Sequence, residues 1–204
     1  MLNRAFVIIC MFLIGGMAAT LPLQPRSAAD RAPGEPKAPK NIDQTPPLVP
    51  IQNARVTKSG LLVGGQPSPE QLKAMQAAGY RTIVTLRTDA EPGDEGERAA
   101  VERMGMKFVS IPVAGAAGLT EDNAHALDKV LREQDALPAV VHCATGQRVS
   151  ALLGLKAFVV ERMSPEAAID LAKSLGLTKL EAALRERIAE ICKTDKSRNC
   201  EGLP

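Results

Sequence analysis

Apolar runs and helix signals alternate over residues 51–193, which predicts an α/β domain with a mainly parallel central sheet of about four to five strands and helices on both faces. Three observations carry this expectation. Short runs rich in Val, Ile and Leu recur between turn residues, helix starts marked by Ser or Thr fall between them, and glycines close several of the helical stretches. With 45% of residues apolar the chain can fill a core, but at 2% aromatic that core must be built from Leu, Val, Ile, Ala and Met.

The first strand covers residues 60–63 and ends at Gly64-Gly65. Ser68-Pro69-Glu70-Gln71 then opens a helix, with Ser as N-cap, Pro at the first helical position and Gln three residues after the cap. Leu72, Met75 and Ala78 recur at helical spacing, and Gly79 ends the element. A β-branched strand follows at 82–86, an acidic loop at 87–93, and a helix at 94–104 that Gly105 stops. Residues 107–111 form the next strand, and Thr120 caps a helix carrying Ala124, Leu127, Val130 and Leu131 on one face. Pro138-Ala139-Val140-Val141-His142 is continuously apolar up to its last residue, as the buried centre of a parallel sheet requires. It leads through a short loop into a helix at 148–162. Two more helices open at Ser164-Pro165-Glu166 and at a capping box from Thr178 to Glu181.

Outside the domain, Arg4 precedes a charge-free run over residues 5–25, with Phe6, Val7, Ile8, Ile9, Met11, Phe12, Leu13 and Ile14 at its centre and small residues after it. This describes a secretory signal at 1–20, cleaved near Ala18 or Ala19, or else a short uncleaved anchor; either way the rest of the chain is exported to, or held facing, the periplasm. Residues 21–50 are rich in Pro, Ala and charge and lack periodicity, so they read as a disordered linker, a tether if the anchor remains. Residues 194–204 form a tail. Loss of Cys10 with the signal leaves Cys143, Cys192 and Cys200, an odd number. The economical arrangement is a Cys192–Cys200 disulfide with Cys143 free.

Composition excludes several functions. Lys and Arg nearly balance Asp and Glu, and aromatic stacking platforms are lacking, so no nucleic-acid partner is expected. With two histidines, His125 and His142, and no HExxH or CxxC pair, neither a metal site nor a cofactor is expected. His125 reads as an ordinary helix residue, and Glu121, Asp122 and Asn123 as first-turn residues that suit the helix dipole.

The chemistry sits in His142-Cys143-Ala144-Thr145-Gly146-Gln147-Arg148. A buried strand ends in His-Cys, Gly146 permits a tight path, and a helix begins at once, so backbone N–H groups converge on an anion. The same field favours the thiolate of Cys143, while Arg148 can hold two oxygens of a bound oxyanion. His142 reads as a support for the loop rather than a base. Thiolate, cradle and arginine together describe nucleophilic attack on a phosphate or a sulfur-centred anion.

HCATGQR resembles the active loop of cysteine-dependent tyrosine and dual-specificity phosphatases. GGQPSPEQLKAMQAAGYRTIVTLRTDAE, the strand at 108–113 and VVHCATGQRVSAL are similar to the bacterial phosphatase-like family found alone or attached to β-lactamase-like hydrolases. The resemblance spans residues 61–184. It implies a cysteine-phosphatase-like fold, a phosphocysteine on Cys143, phosphate binding by the amides of Ala144, Thr145, Gly146, Gln147 and Arg148, and a clamp by Arg148. A phosphorylated protein or small phosphomonoester would be the substrate. Two features depart from the general phosphatase pattern. Four residues separate Cys143 from Arg148 where the general signature has five; Val149 stands where Arg would be, and the spacing is also that of rhodanese-type sulfurtransferases. The 113–118 loop, where dual-specificity phosphatases carry an acid, has none. Asp122, Asp89 and Glu91 are the remaining candidates for a general acid. A Cys persulfide carrier and a non-catalytic anion-binding module are the competing readings.

Overall fold

The computed structural model describes residues 46–93, 96–198 and 200–201. The expected signal or anchor and residues 21–45 of the expected linker lie outside the described residues. The elements are β1 (Arg55–Val56), β2 (Leu61–Gly64), α1 (Pro69–Ala77), β3 (Thr82–Thr85), α2 (Glu97–Arg103), β4 (Lys107–Ser110), α3 (Glu121–Leu131), β5 (Ala139–His142), α4 (Gln147–Val159), α5 (Pro165–Ser174) and α6 (Glu181–Thr194).

The sheet has five strands in the order β1-β2-β5-β3-β4, and only the β1–β2 pairing is antiparallel. β5 lies at the centre: His142, its last residue, aligns with Gly64 on one side and Thr85 on the other. Alternate strand residues feed two cores, as a pleated sheet covered on both faces requires. Leu62, Ile83 and Val140 pack with Leu72, Met75 and Val101 of α1 and α2. Leu61, Val63, Val84 and Val141 pack with Leu127, Leu152, Leu155, Ile169, Leu184 and Ile188 of α3 to α6. Within that second layer α4 is the hub, buried at every residue from Val149 to Val159. Gly154 admits its neighbours, since a Cβ there would lie 2.7 Å from the Cβ of Ala172 and 2.9 Å from a methyl of Leu184.

Helix starts follow their local chemistry. Ser68 and Gln71 form a reciprocal capping box on α1, and the hydroxyls of Thr120 and Ser164 cap α3 and α5. α2 begins at Glu97, later than the composition of the acidic stretch predicts, because Gly96 turns the chain with φ 87° and supplies no side-chain cap. α6 differs as well. Its N-cap is Leu180 with no side-chain bond, and Thr178 is drawn off by Gln147, whose Oε1 accepts both its N–H (2.9 Å) and its hydroxyl (3.1 Å). α4 stops at Val159 and the chain reverses at Arg162, which takes φ 59°.

Both ends of the domain are tied down. Pro46, Val49 and Ile51 are buried, Tyr80 donates its hydroxyl to the Pro47 carbonyl (3.3 Å), and the Gln71 amide donates to Pro50 (2.5 Å). Residues 46–50 therefore pack on the domain, and the linker expectation is corrected there: two apolar side chains suffice to dock the segment on the α1 layer. At the other end the Cys192–Cys200 disulfide staples the tail to α6. Arg198 then donates to the carbonyls of Phe158 (3.3 Å) and Val159 (3.0 Å) and covers the Phe158 ring, capping the C-terminal end of α4.

The fold makes one demand on Gly64 that its place in a strand does not reveal. A Cβ there would stand 2.6 Å from Ile51 Cδ1 and 2.9 Å from the Gln52 carbonyl oxygen. Gly64→Ala is expected to cost about 1–3 kcal/mol of stability through this overpacking, measured as a lower urea midpoint. A midpoint equal to that of the wild type would refute the packing account.

Candidate active site

The end of β5 and the start of α4 position Cys143 and Arg148. Gly146 takes φ 88° and is the N-cap of α4, with no side chain capping the helix, so the first N–H groups of the helix are open to an anion. Cys143 is buried beneath them, and its Sγ accepts the Gly146 N–H at 3.1 Å. Ser150 secures the first turn from within, bonding Gly146 O at 3.1 Å and Leu175 O at 2.7 Å.

The loop backbone is oriented by the segment beside it. Gly64 O accepts the Cys143 N–H (3.3 Å), Ala144 O accepts the Gln66 N–H (3.3 Å), and Thr145 O accepts the side-chain amide of Asn53 (2.9 Å). With those two carbonyls turned away, the cradle is walled by N–H groups. Gly65 is required for the approach, because a Cβ would lie 2.9 Å from Ala144 O. The side chain of Gln147 takes no part in the cradle. Its Nε2 donates to Gly176 O (2.8 Å) and its Oε1 accepts from Thr178 and from the Lys179 N–H (2.7 Å), which fastens the loop to the α5–α6 turn.

Arg148 is held on its end-on edge. Nη1 donates to Val113 O (3.0 Å), Leu86 O (3.3 Å) and Glu91 Oε1 (2.6 Å), and Nη2 to Glu91 Oε2 (2.6 Å). The guanidinium is also in electrostatic contact with Cys143. Glu91 is in turn gripped by the Thr88 N–H (2.9 Å) and hydroxyl (3.2 Å), and Arg87 Nε lies 3.5 Å from its second oxygen. Buried Arg87 is anchored by Gln66 Oε1 (2.9 Å) and the Pro92 carbonyl. The bonds from Arg148 outweigh the effect of burial and hold the Glu91 carboxyl down at about 2. The same pairing, with Cys143 adding to it, raises Arg148 above its ordinary value.

The other predicted site residues divide clearly. His142 is wholly buried behind the loop, with Nε2 3.1 Å from Glu97 Oε1. Among the general-acid candidates, Asp89 and Asp122 are exposed, one in the loop after β3 and the other in the first turn of α3, and no described hydrogen bond or ion pair joins either to the Cys143 loop. Asn123 closes the neighbouring turn by donating to Gly118 O (2.9 Å). Asn53 and Gln66 make contacts with the loop that sequence reasoning missed; each acts across the fold, and no local pattern marks it. Among the described residues no group of three or more His, Cys, Asp or Glu can hold a metal, and no helix is long and apolar enough to cross a membrane.

A family described as DSP-PTPase phosphatase fused to NAD+ kinase has a model that matches residues 52–190. The chain belongs to this family. As a DSP-PTPase domain it has relatives at 30% identity or more: the β-lactamase hydrolase-like protein of Xylella fastidiosa strain Temecula1 is 32% identical over 107 residues, 50% of this chain and 24% of that protein. The corresponding protein of Agrobacterium fabrum is 31% identical over 96 residues, 45% of this chain and 22% of its own length. The match thus spans about a quarter of these curated relatives. A putative phosphatase from Shewanella putrefaciens shares the fold with TM-score 0.55 and 18% identity, over 71% of this chain and 91% of that one. The core catalytic domain of the PP-IP phosphatase SIW14 of S. cerevisiae, solved with citrate, superposes with TM-score 0.54 and 18% identity, over 74% and 95% of the two chains. The DSP-PTPase domain is a phosphatase-like hydrolase with a cysteine-phosphatase fold.

The Glu91–Arg148 pair gives the domain an acid-sensitive joint. The folded-state value of about 2 lies below the ordinary 4.5, so the stabilisation is complete above pH 4.5 and is lost as pH falls through about 2. Glu91→Gln is expected to lower stability by on the order of 2 kcal/mol at neutral pH, with the gap to wild type closing between pH 4.5 and 2. Thermal unfolding of both proteins across that range checks it. A gap independent of pH would show that the pair has no such role.

Proposed function

We propose that the chain is an exported cysteine phosphatase that hydrolyses a phosphomonoester through a phosphocysteine on Cys143. The observation that carries this is the placement of Cys143 Sγ under the uncapped N-terminus of α4, 3.1 Å from the Gly146 N–H, with Arg148 fixed beside it. The thiolate attacks phosphorus, an S–P bond forms and the P–O bond to the leaving group breaks. The loop amides and Arg148 hold the remaining oxygens as charge moves among them. Water then attacks phosphorus, releasing phosphate and restoring the thiolate.

Glu91 is an anion at neutral pH with both oxygens engaged by Arg148, so it is not the proton donor of the first step. Asp89 and Asp122 are the remaining described candidates from the sequence. A reaction without a positioned acid loses on the order of 10²–10⁴-fold in rate. Aryl phosphates, including a protein phosphotyrosine, suffer least because a phenolate leaves without much protonation.

Purified protein is expected to turn over p-nitrophenyl phosphate, and not thiosulfate with cyanide as a persulfide carrier would. Cys143→Ser should abolish turnover, and Arg148→Lys should remove most of it, because an ammonium lacks the two-pronged contact. Inorganic phosphate and vanadate should protect Cys143 from iodoacetamide. Thiosulfate activity alone would select the sulfurtransferase, and protection without any turnover would select the binding module.

Export rests on Arg4 and the charge-free run at residues 5–25. Residues 1–50 fused to a reporter that works only outside the cytoplasm are expected to give an active reporter. An inactive fusion that accumulates in the cytoplasm would rule the location out.

A further inference from the structure

The loop has a second carboxylate behind it that neither the nucleophile nor the anion cradle uses. Glu97, the first residue of α2, and His142, the last residue of β5, meet with 3.1 Å between Oε1 and Nε2, and their side chains are only 4% and 0% exposed. The 3.1 Å approach is a charge-type contact without hydrogen-bond geometry, and neither ring nitrogen of His142 nor either carboxyl oxygen of Glu97 has a hydrogen-bond partner among the described residues. A carboxylate buried against one imidazole is a poor way to stabilise a fold, since apolar residues of similar volume would do at least as well. Such a polar pair, incompletely satisfied and one peptide bond from the nucleophile, calls for a role in the chemistry.

The placement supplies that role. The His142 carbonyl accepts the Leu86 N–H (2.8 Å), and the next peptide N–H, that of Cys143, donates to Gly64 O (3.3 Å). The backbone on either side of the His142–Cys143 bond is therefore fixed by the sheet, and the His142 ring meets Glu97 at the start of α2. Residue 91 lies in the loop after β3 and residue 97 is the first of α2. Glu91 grips Arg148 at the far end of the reactive loop and Glu97 meets His142 at the near end.

We infer that Glu97 is a positioning residue for Cys143, acting through His142, and that Glu91 and Glu97 hold the reactive loop at its two ends with two carboxylates of different surroundings. The inference rests on the phosphatase reading for its turnover readout but not for its thiol readout.

The test is a double-mutant cycle with Glu97→Gln and His142→Gln. Both changes keep polar side chains in the buried space. Each single variant is expected to lower kcat toward p-nitrophenyl phosphate by on the order of tenfold or more, as small misplacements of a reacting group do. Each should slow iodoacetamide at Cys143 while leaving the protective concentration of inorganic phosphate within about threefold. The double variant should be no worse than the poorer single one, because the two residues act as a unit. Unchanged kcat and alkylation, fully additive losses, or losses that merely follow the folded fraction by circular dichroism would each overturn the inference. If Glu97→Gln does not fold, His142→Gln alone decides through the alkylation rate and phosphate protection. If the wild type fails to hydrolyse aryl phosphates, only the phosphatase reading falls, and the alkylation rates still judge Glu97.

Discussion

Two stretches of backbone, Gly64-Gly65-Gln66 and Cys143-Ala144-Thr145, continue to exchange contacts past the ends of their parallel strands, and the reactive loop depends on this. Gly64 O takes the Cys143 N–H and Ala144 O takes the Gln66 N–H. Asn53, in a left-handed turn at φ 56°, reaches across to Thr145 O. A loop of this length would otherwise be free to point its carbonyls in either direction, and a carbonyl facing the thiol would repel the anion the loop is built to hold. The pairing settles the direction with hydrogen bonds that the backbone must make somewhere in any case. It also accounts for Gly65, where a Cβ would meet Ala144 O, while at Gly64 the room is taken by Ile51 and the Gln52 carbonyl.

Charge enters the site in separated layers. Arg148 is in electrostatic contact with Cys143, and Glu91 pairs with both of its terminal nitrogens. Arg87 Nε lies 3.5 Å from the second oxygen of Glu91, so the carboxylate is shared between two guanidiniums. The guanidinium of Arg148 is thus oriented by its partners in the fold before any ligand arrives, which reduces the ordering that binding an anion would require. Among the described residues the arrangement favours holding an anion over donating a proton.

Much of this was legible in the sequence. Ser68 to Gln71 announces α1 through its capping box, the β-branched run at 82–85 and the apolar run ending at His142 announce parallel strands, and the strand–Cys–Gly–Arg–helix order announces a tight loop with Cys143 under a helix start. These are local patterns whose physics acts within a few residues. Long-range partners were not legible. Gln147 looks like a loop residue that would face phosphate, yet its amide finds three partners in the α5–α6 turn. Thr178 looks like an N-cap for α6 and is captured by that same amide. Glu91 looks like one acid among several, and only the fold shows Arg148 closing on it. The short strand β1 has no periodicity to betray it, because its two residues are placed by pairing with β2 and by the turn at Asn53.

The outward direction of the Gln147 amide has a consequence for how such a loop can diversify. Ala144 and Thr145 are exposed, and their contacts with the rest of the fold run through backbone oxygens. The wall that meets the anion is therefore peptide, the same whatever side chains the loop carries at those two places. Identity at 144 and 145 changes what stands around the mouth (bulk, charge, wetness) and leaves the reacting geometry alone. Position 147 has no such latitude, since its side chain is the fastening to the neighbouring turn. A loop organised this way separates the vocabulary of recognition from the grammar of the reaction, and new targets can be explored by substitution without rebuilding the machinery beneath.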